Sequence, residues 1–253
     1  MTDTSRRIAS PIRVPDPDLA TAVHEPGGIA RLADRIRRTD ADTVVLGADR
    51  FVPARAGGPR VDPTSAALAL GRVLPAHRFL IAVAPTRDHP YNVARRVLSL
   101  DHVLGGRVGL LVGAHDHGAH DPGARDHGAH EPTADDERLH DPAEFARVVR
   151  GLWATWPFDS IVGDRSTGVF ADTDRVRPLD HDGGPDGYRV RGPLTTPSRP
   201  GGSPVLAVWD DVDLPDADLR LSAVTPVLPA NDVLPANDRL PADVAQPDPA
   251  TAA

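Results

Sequence analysis

Short apolar runs separated by amphipathic stretches dominate the chain between residues 43 and 210. Four of these runs have the length of buried strands, and they cover 43–46, 79–84, 107–113 and 204–210. Because they are apolar at successive positions rather than at alternate ones, they are typical of parallel strands that helices cover.

The stretches between these runs have helical spacing and recognisable helix starts. A Gly-Gly pair precedes the first amphipathic stretch, and Asp62 can cap the second, with Pro63 suited to its first position. The expected helices cover 27–39, 62–74, 89–106 and 137–156. Strands that alternate with helices in this way predict an α/β domain with a parallel sheet over 27–210.

The flanking segments lack this rhythm. Residues 1–26 are polar and interrupted by prolines, so we expect an irregular segment with at most a short edge strand at 6–14. Residues 157–203 form a long connection with a small hairpin, in which "YRVRG" is one strand. A repeat, "PVLPANDVLPANDRLPAD", begins at Pro226, and its prolines predict that 211–253 is an extended or disordered tail. The alternative is a proline-rich docking segment.

Composition narrows the functional classes. The formal net charge is −8, and this excess of negative charge disfavours nucleic acid or an anionic membrane surface as a partner. The chain has no cysteine, so it has no disulfide, thiolate nucleophile or cysteine-ligated metal. The sequence has neither a signal-peptide pattern nor a run of about 20 apolar residues. We therefore expect a cytoplasmic protein.

Two long segments resemble a known family. They are "HPYNVARRVLSLDHVLGGRVG" at 89–109 and the run from "AEFARVVRGLWATWPFDSIVGDRSTG" to "YRVRGPL" at 143–194. Residues 44–50 and 62–86 add support in the same order. Together, over roughly two-thirds of the chain, they resemble the bacterial luciferase-like flavin monooxygenases, in the branch with nitrilotriacetate, desulfurization and long-chain alkane monooxygenases.

The resemblance implies a (β/α)8 TIM-barrel-like fold with its site at the carboxyl ends of the strands. It also implies reduced FMN supplied by a separate flavin reductase, and O2 used to oxygenate a small organic substrate. No counterpart of the later barrel strands is visible in 212–253. We therefore expect an incomplete barrel of about four or five parallel strands between 43 and 209, followed by a disordered C-terminal tail. Its unpaired edges would favour a homo-oligomer.

Four residues match positions at the family's flavin site. Asp49 matches an acidic residue at the flavin ring, and Thr86 matches a nearby hydroxyl residue. Tyr91 and Asn92 match a "PYN" turn that lines the pocket. The alternatives are local: Asp49 and Thr86 can satisfy turn or loop backbone, and Tyr91 and Asn92 can start the helix.

Three departures from the family pattern weaken this assignment. The strand end "LLVGAH" at 110–115 lacks the usual Asn and Thr, and "DDERL" at 135–139 lacks the usual His and Tyr. Asp210 and Asp211 stand where a Gly-Ser-type turn would surround the phosphate. Because carboxylates repel a phosphate, the sequence predicts weak FMN binding.

The histidine-rich stretch 115–134 repeats a ten-residue unit and holds five of the 11 histidines. His115 and His117 are two apart, with others nearby, so Zn²⁺ or Ni²⁺ chelation and a pH-responsive loop are both conceivable. Its glycines and duplicated wording favour a solvated loop without a specific metal.

Two functional hypotheses remain from the sequence. The first is a two-component, FMN-dependent monooxygenase with an unusual pocket. The second is a catalytically inactive family member that serves as a scaffold or binds a partner. The family pattern favours the first, and the missing flavin contacts favour the second.

Overall fold

A computed structural model describes residues 10–55, 60–86, 88–117 and 141–230. The helices are α1 (Asp16–His24), α2 (Gly28–Arg37), α3 (Pro63–Val73), α4 (Pro90–Val103) and α5 (Pro142–Trp153). The strands are β1 (Pro11–Val14), β2 (Thr43–Leu46), β3 (Arg78–Val83), β4 (Val108–Val112), β5 (Ile161–Asp164), β6 (Val169–Ala171), β7 (His181–Asp182), β8 (Arg189–Val190), β9 (Val205–Trp209) and β10 (Leu219–Leu221). Among these residues, no helix has the length and apolar character needed to cross a membrane.

One parallel sheet organises the chain. Its six strands run in the order β1-β2-β3-β4-β9-β10, and each neighbouring pair is parallel. The four strands expected between 43 and 209 are all present, so the partial parallel barrel is confirmed. β1 and β10 lie outside that interval and bring the number of strands to six.

The sheet curls because its two outer strands are joined by a short piece of chain. Arg13 in β1 donates its N–H to the carbonyl of Pro226 and accepts from the N–H of Leu228, both at 2.8 Å. A flat sheet of six strands would separate β1 from β10 by about 24 Å, whereas the few residues after Leu221 span at most about 18 Å. The outer edge of β1 is therefore paired, and the expectation of an exposed edge is wrong for this strand.

Two apolar clusters lie on the two faces of the curled sheet. The larger lies under the five helices and includes Trp153, whose indole N–H donates to the carbonyl of Ala94 at 3.0 Å. The smaller, which we call the inner cluster, lies on the concave face and consists mostly of small side chains. It comprises Val45, Ala48, Phe51, Leu80, Ala82, Ala84, Leu111, Val205, Ala207, Trp209 and Leu221. Four of its eleven members are alanines, and its two aromatic side chains, Phe51 and Trp209, lie together at the strand ends.

Helix α3 shows how the sequence sets its helix starts. The carboxylate of Asp62 accepts the N–H of Ser65 at 2.9 Å, with Pro63 at the first position. At the other end of the layer, the guanidinium of Arg107 donates to the carbonyls of Gly71, Leu74 and His77. The carboxylate of Asp62 thus accepts a backbone N–H at the start of α3, and the guanidinium of Arg107 donates to backbone carbonyls at its end.

The predicted irregular N-terminal segment is wrong over 16–24. Helix α1 forms there because Asp16, Pro17 and Asp18 suit a first helical turn. Its Leu19 is fully buried, and Asp18 forms an ion pair with Arg35 of α2 at 2.7 Å. Leu19 is the one large apolar side chain that this helix buries, which is too little for a visible helical period.

The predicted disordered tail is also wrong, over 211–230. This segment contains β10, which pairs with β9, and Leu228, which is only 2% exposed. A proline repeat does not prevent pairing here, because Val227 faces β1 across a single bridge and Pro229 lies beyond it. Residues 231–253 lie outside the described part of the chain.

The connection at 157–203 holds two antiparallel hairpins, β5–β6 and β7–β8. The predicted strand "YRVRG" is confirmed as β8. A carboxylate oxygen of Glu144 on α5 accepts the N–H of Tyr188 at 3.1 Å and lies 2.7 Å from Nε2 of His181. The second hairpin is therefore fixed to the helix layer.

Gly109 in β4 provides a test of how closely β4 approaches its neighbours β3 and β9. A Cβ at this position would lie 2.7 Å from the carbonyl oxygen of Val205 and 2.8 Å from Leu80. We expect Gly109→Ala to lower the free energy of unfolding by about 1–3 kcal/mol, because the neighbouring backbone must move. Urea denaturation measures the change, and Arg95→Ala on the exposed face of α4 is the control. A difference under about 0.5 kcal/mol would contradict the close approach.

Candidate functional site

Two buried aspartates meet at the carboxyl ends of β1 and β2. β2 ends at Leu46, Gly47 turns the chain with a φ of 80°, and a 3-10 turn over Ala48–Phe51 follows. This turn presents Asp49, whose Oδ2 accepts the N–H of Asp16 at 2.9 Å. Asp49 is 2% exposed, and its Oδ1 has no hydrogen-bond partner among the described residues. The second carboxylate oxygen is therefore an acceptor available to a ligand.

A buried arginine lies beside this pair. Arg13 is 3% exposed and donates from Nε to the carbonyl of Thr225 at 3.1 Å and from Nη2 to that of Ala223 at 2.8 Å. Its Nη1 has no hydrogen-bond partner in the described ranges. Burial lowers the pKa of Arg13 and the charge of Asp49 opposes that shift. The guanidinium therefore offers one unused donor.

Aromatic rings form the apolar side of the site. The guanidinium carbon of Arg13 lies 5.6 Å from the ring centroid of Trp209, and Phe51 lies 5.3 Å from the same ring at a tilt of 52°. A Cβ at Gly113 would lie 2.5 Å from the ring of Phe51, so only glycine fits there. The rings exclude water from the charged groups and strengthen their interactions.

An ion-pair network surrounds the two aspartates. Arg60 bridges two carboxylates, with Nε 3.5 Å from Asp16 and Nη1 3.4 Å from Asp116. Arg50 lies 3.7 Å from the other oxygen of Asp116 and donates from Nε to the carbonyl of Gly47 at 3.0 Å. The side chain of Asp116 is fully buried. The expectation of a solvated loop at 115–134 is therefore wrong at Asp116, the second residue of that stretch.

Of the four predicted site residues, the structure places one in this cluster. Thr86 and Asn92 are exposed, and Tyr91 is half-buried, with its hydroxyl donating to the carbonyl of Pro193 at 3.3 Å. No contact joins these three side chains to Asp49 within the described residues, so their role toward a flavin stays a prediction.

Sequence reasoning missed Arg13 and Asp16. Arg13 is the one charged residue in the strand "PIRV", and Asp16 directly follows the strand and its proline. A charge inside a short apolar strand, followed by an acid at the strand's carboxyl end, is the signal that would have found them.

A separate carboxylate lies at the ends of β4 and β9. Oδ1 of Asp211 accepts the N–H of Ala114 at 3.1 Å, and both Asp210 and Asp211 are exposed. The N–H of Ala114, at the carboxyl end of β4, is thus already bound to Asp211 and is not a free donor for a phosphate.

The metal hypothesis gains no support from the described residues. They contain no group of three or more His, Asp or Glu side chains placed to hold a metal ion. The rings of His115 and His117 lie 5.9 Å apart, and the remaining histidines of this loop are outside the described residues.

The buried position of Asp16 predicts a pH-dependent stability. Burial, and then the neighbouring Asp49, raise its pKa to about 6, against the opposing effect of Arg50 and Arg60. Because the folded pKa lies above the unfolded one, the stabilising contribution of the neutral carboxyl is full below about pH 4 and is lost as the pH rises through about 6.

We therefore expect Asp16→Asn, which cannot ionise, to gain stability relative to the parent chain as the pH rises. The gain between about pH 4 and pH 7 is at most about 3 kcal/mol. Urea denaturation of both proteins across this range measures it. A difference that does not change with pH would show that Asp16 does not titrate in this interval.

The sequence of the chain is similar to a known family and to several characterised proteins. The family model "Luciferase-like monooxygenase" matches residues 8–207. One component of the pristinamycin IIA synthase from Streptomyces pristinaespiralis is 30% identical over 214 residues, which are 85% of this chain and 69% of that protein. Dibenzothiophene-sulfone monooxygenase from Rhodococcus erythropolis is 34% identical over 152 residues, 59% of this chain but only 32% of that protein.

Solved structures agree on the fold. DmoA from Hyphomicrobium sulfonivorans superposes with a TM-score of 0.57 and 25% identity, covering 80% of this chain and 48% of that one. A long-chain alkane monooxygenase superposes with a TM-score of 0.56 at 21% identity and shows the fold alone. The chain thus spans about half the length of these structures. With most of its length matched by the family model, the chain belongs to the luciferase-like monooxygenase family.

Proposed function

We propose that the chain takes part in a two-component monooxygenase reaction, with reduced flavin from a separate reductase and a small organic substrate. The observation that carries the proposal is a group of buried atoms that have no hydrogen-bond partner among the described residues, namely Oδ1 of Asp49, Nη1 of Arg13 and both carboxylate oxygens of Asp16, at the carboxyl ends of the strands. Buried polar atoms without partners are rare in folded proteins, and their grouping at one end of the strands supports a ligand group bound there. Family barrels place their sites at this end of the strands.

These atoms suit the polar edge of a flavin ring. That edge presents N–H donors and carbonyl acceptors, so Asp49 Oδ1 would accept and Arg13 Nη1 would donate. Because Arg13 is charged, it would also favour the anionic form of the reduced ring. When bound, the reduced flavin would supply the electrons for activating O2, and the protein would supply position and a dry pocket.

The surrounding groups have separate tasks in this proposal. Phe51 and Trp209 keep water from the ring end. Asp16, with its raised pKa of about 6, can hold or release a proton near neutral pH beside Asp49. The ion pairs of Arg60 fix this carboxyl in place.

The phosphate end of FMN does not fit equally well. Asp210 and Asp211 are exposed acids at the end of β9, and Asp211 already accepts the backbone N–H of Ala114. A phosphate needs free N–H donors or positive charge. We infer that recognition rests on the ring and that the phosphate adds little.

Titration with riboflavin and with FMN tests whether recognition rests on the ring rather than on the phosphate. We expect riboflavin, which lacks the phosphate, to bind within about threefold of FMN under anaerobic reducing conditions. The double variant Asp210→Ser with Asp211→Ser should bind FMN about three- to tenfold more tightly and riboflavin unchanged. The variant Asp49→Asn should weaken both flavins equally. Quenching of tryptophan fluorescence and equilibrium dialysis measure the affinities.

Two outcomes would contradict the proposal in different ways. Tight FMN binding that discriminates strongly against riboflavin would place the phosphate site elsewhere and leave the ring site intact. If neither flavin binds, the monooxygenase proposal fails, and a scaffold or partner-binding role replaces it.

A further inference from the structure

A tetrapeptide of the chain itself covers the strand edge that closes the sheet. Residues 227–230 read Val-Leu-Pro-Ala and lie along the outer edge of β1, with Val227 opposite Arg13 in a parallel bridge. The N–H of Leu228 donates to the carbonyl of Arg13 at 2.8 Å, and the Arg13 N–H donates to the carbonyl of Pro226 at 2.8 Å. This is strand addition, in which backbone gives affinity and side chains give specificity.

Each position of the docked segment has a defined requirement. Leu228 is 2% exposed and belongs to the larger apolar cluster under the helices, so an apolar side chain is needed at this position. Val227 is half-buried. Pro229 is exposed and offers its carbonyl to Nη2 of Arg35, so its missing N–H costs nothing. Position 226 pairs through its carbonyl, which any residue supplies.

The sequence contains a second copy of the same tetrapeptide. Val-Leu-Pro-Ala recurs at 233–236, preceded by Asp232, which has the carbonyl that position 226 contributes. A third unit at 239–242 has Arg in place of Val and is a poorer match for the half-buried position. We propose that the outer edge of β1 is a docking site for Val-Leu-Pro-Ala, and that 233–236 of the same chain is its alternative occupant.

The same chain is the favoured source because the second unit is covalently joined to the first and lies only six residues beyond it. Shifting the docked unit by six residues lengthens the connection from Leu221, which lowers the closing probability by only about threefold. The shift also moves the turn at 222–225, whose carbonyls hold the guanidinium of Arg13. The first unit is therefore preferred, and the exchange releases an arginine of the candidate site.

A double-variant experiment tests the exchange independently of any flavin. All proteins carry Leu240→Asp, which disables the third unit. Leu228→Asp alone should lower the Tm by about 3–6 °C, because the second unit takes the edge but the connection is longer and the turn that holds Arg13 moves, whereas Leu234→Asp alone should have no effect. The combination Leu228→Asp with Leu234→Asp should lower the Tm by about 10 °C or prevent folding. Val224→Asp, at a side chain 90% exposed in the same turn, is the control.

Hydrogen exchange at the Arg13 amide gives a second readout. It should stay slow in Leu228→Asp and become at least about tenfold faster in the combined variant. The proposal is overturned if Leu228→Asp lowers the Tm by the same amount with and without the added Leu234→Asp, or if Leu228→Asp fails to fold. A Tm of Leu228→Asp that rises with protein concentration would assign the second unit to another copy and reject the same-chain occupant.

Discussion

The two backbone hydrogen bonds between Arg13 and the segment 226–228 hold the curled sheet together. Without them, β1 would be an open edge and the concave face would be exposed to solvent along its length. With them, a chain that matches about half of its solved relatives encloses its own inner cluster. The closing segment pairs with the outer edge of β1, so a short piece of backbone covers an edge that would otherwise be open.

The pairing of Arg13 with 226–228 also explains why charged groups can lie on the concave side of the curled sheet. The side chain of Arg13 is desolvated, and its partners are carbonyls of the closing turn rather than water. The acids nearby, Asp16, Asp49 and Asp116, are compensated by Arg13, Arg50 and Arg60, so the end of the barrel is polar without being strongly charged. Buried charges persist only when they are paired in this way. Among the described residues, Oδ1 of Asp49, Nη1 of Arg13 and both oxygens of Asp16 are buried without a hydrogen-bond partner, and this group of atoms supports a ligand there.

The regular part of the fold was predictable from sequence because its signals are local. The strands at 43–46 and 204–210, and the cap at Asp62, follow from apolar runs and helix-start chemistry. β1 lies within the short edge strand allowed at 6–14. β10 and the pairing of Val227 with Arg13, more than 200 residues earlier, depend on partners that no local pattern encodes. Asp49 was found because a strand end precedes it. Arg13 was missed although a lone charge in an apolar strand is a local signal, because the carbonyls that hold its guanidinium belong to the distant closing turn.

The ring-closing contact also sets an order on folding during synthesis. β1 emerges first, yet the group that covers its outer edge lies 213 to 215 residues later, at 226–228. Until that segment has left the ribosome, the strand remains a free template for pairing with other chains, which is where aggregation begins. Contacts of such high separation also slow folding, since a long loop must close before they form. The segment that covers β1 is thus also the one whose late appearance exposes the nascent chain, and the need for chaperone protection is greatest until 226–228 has left the ribosome.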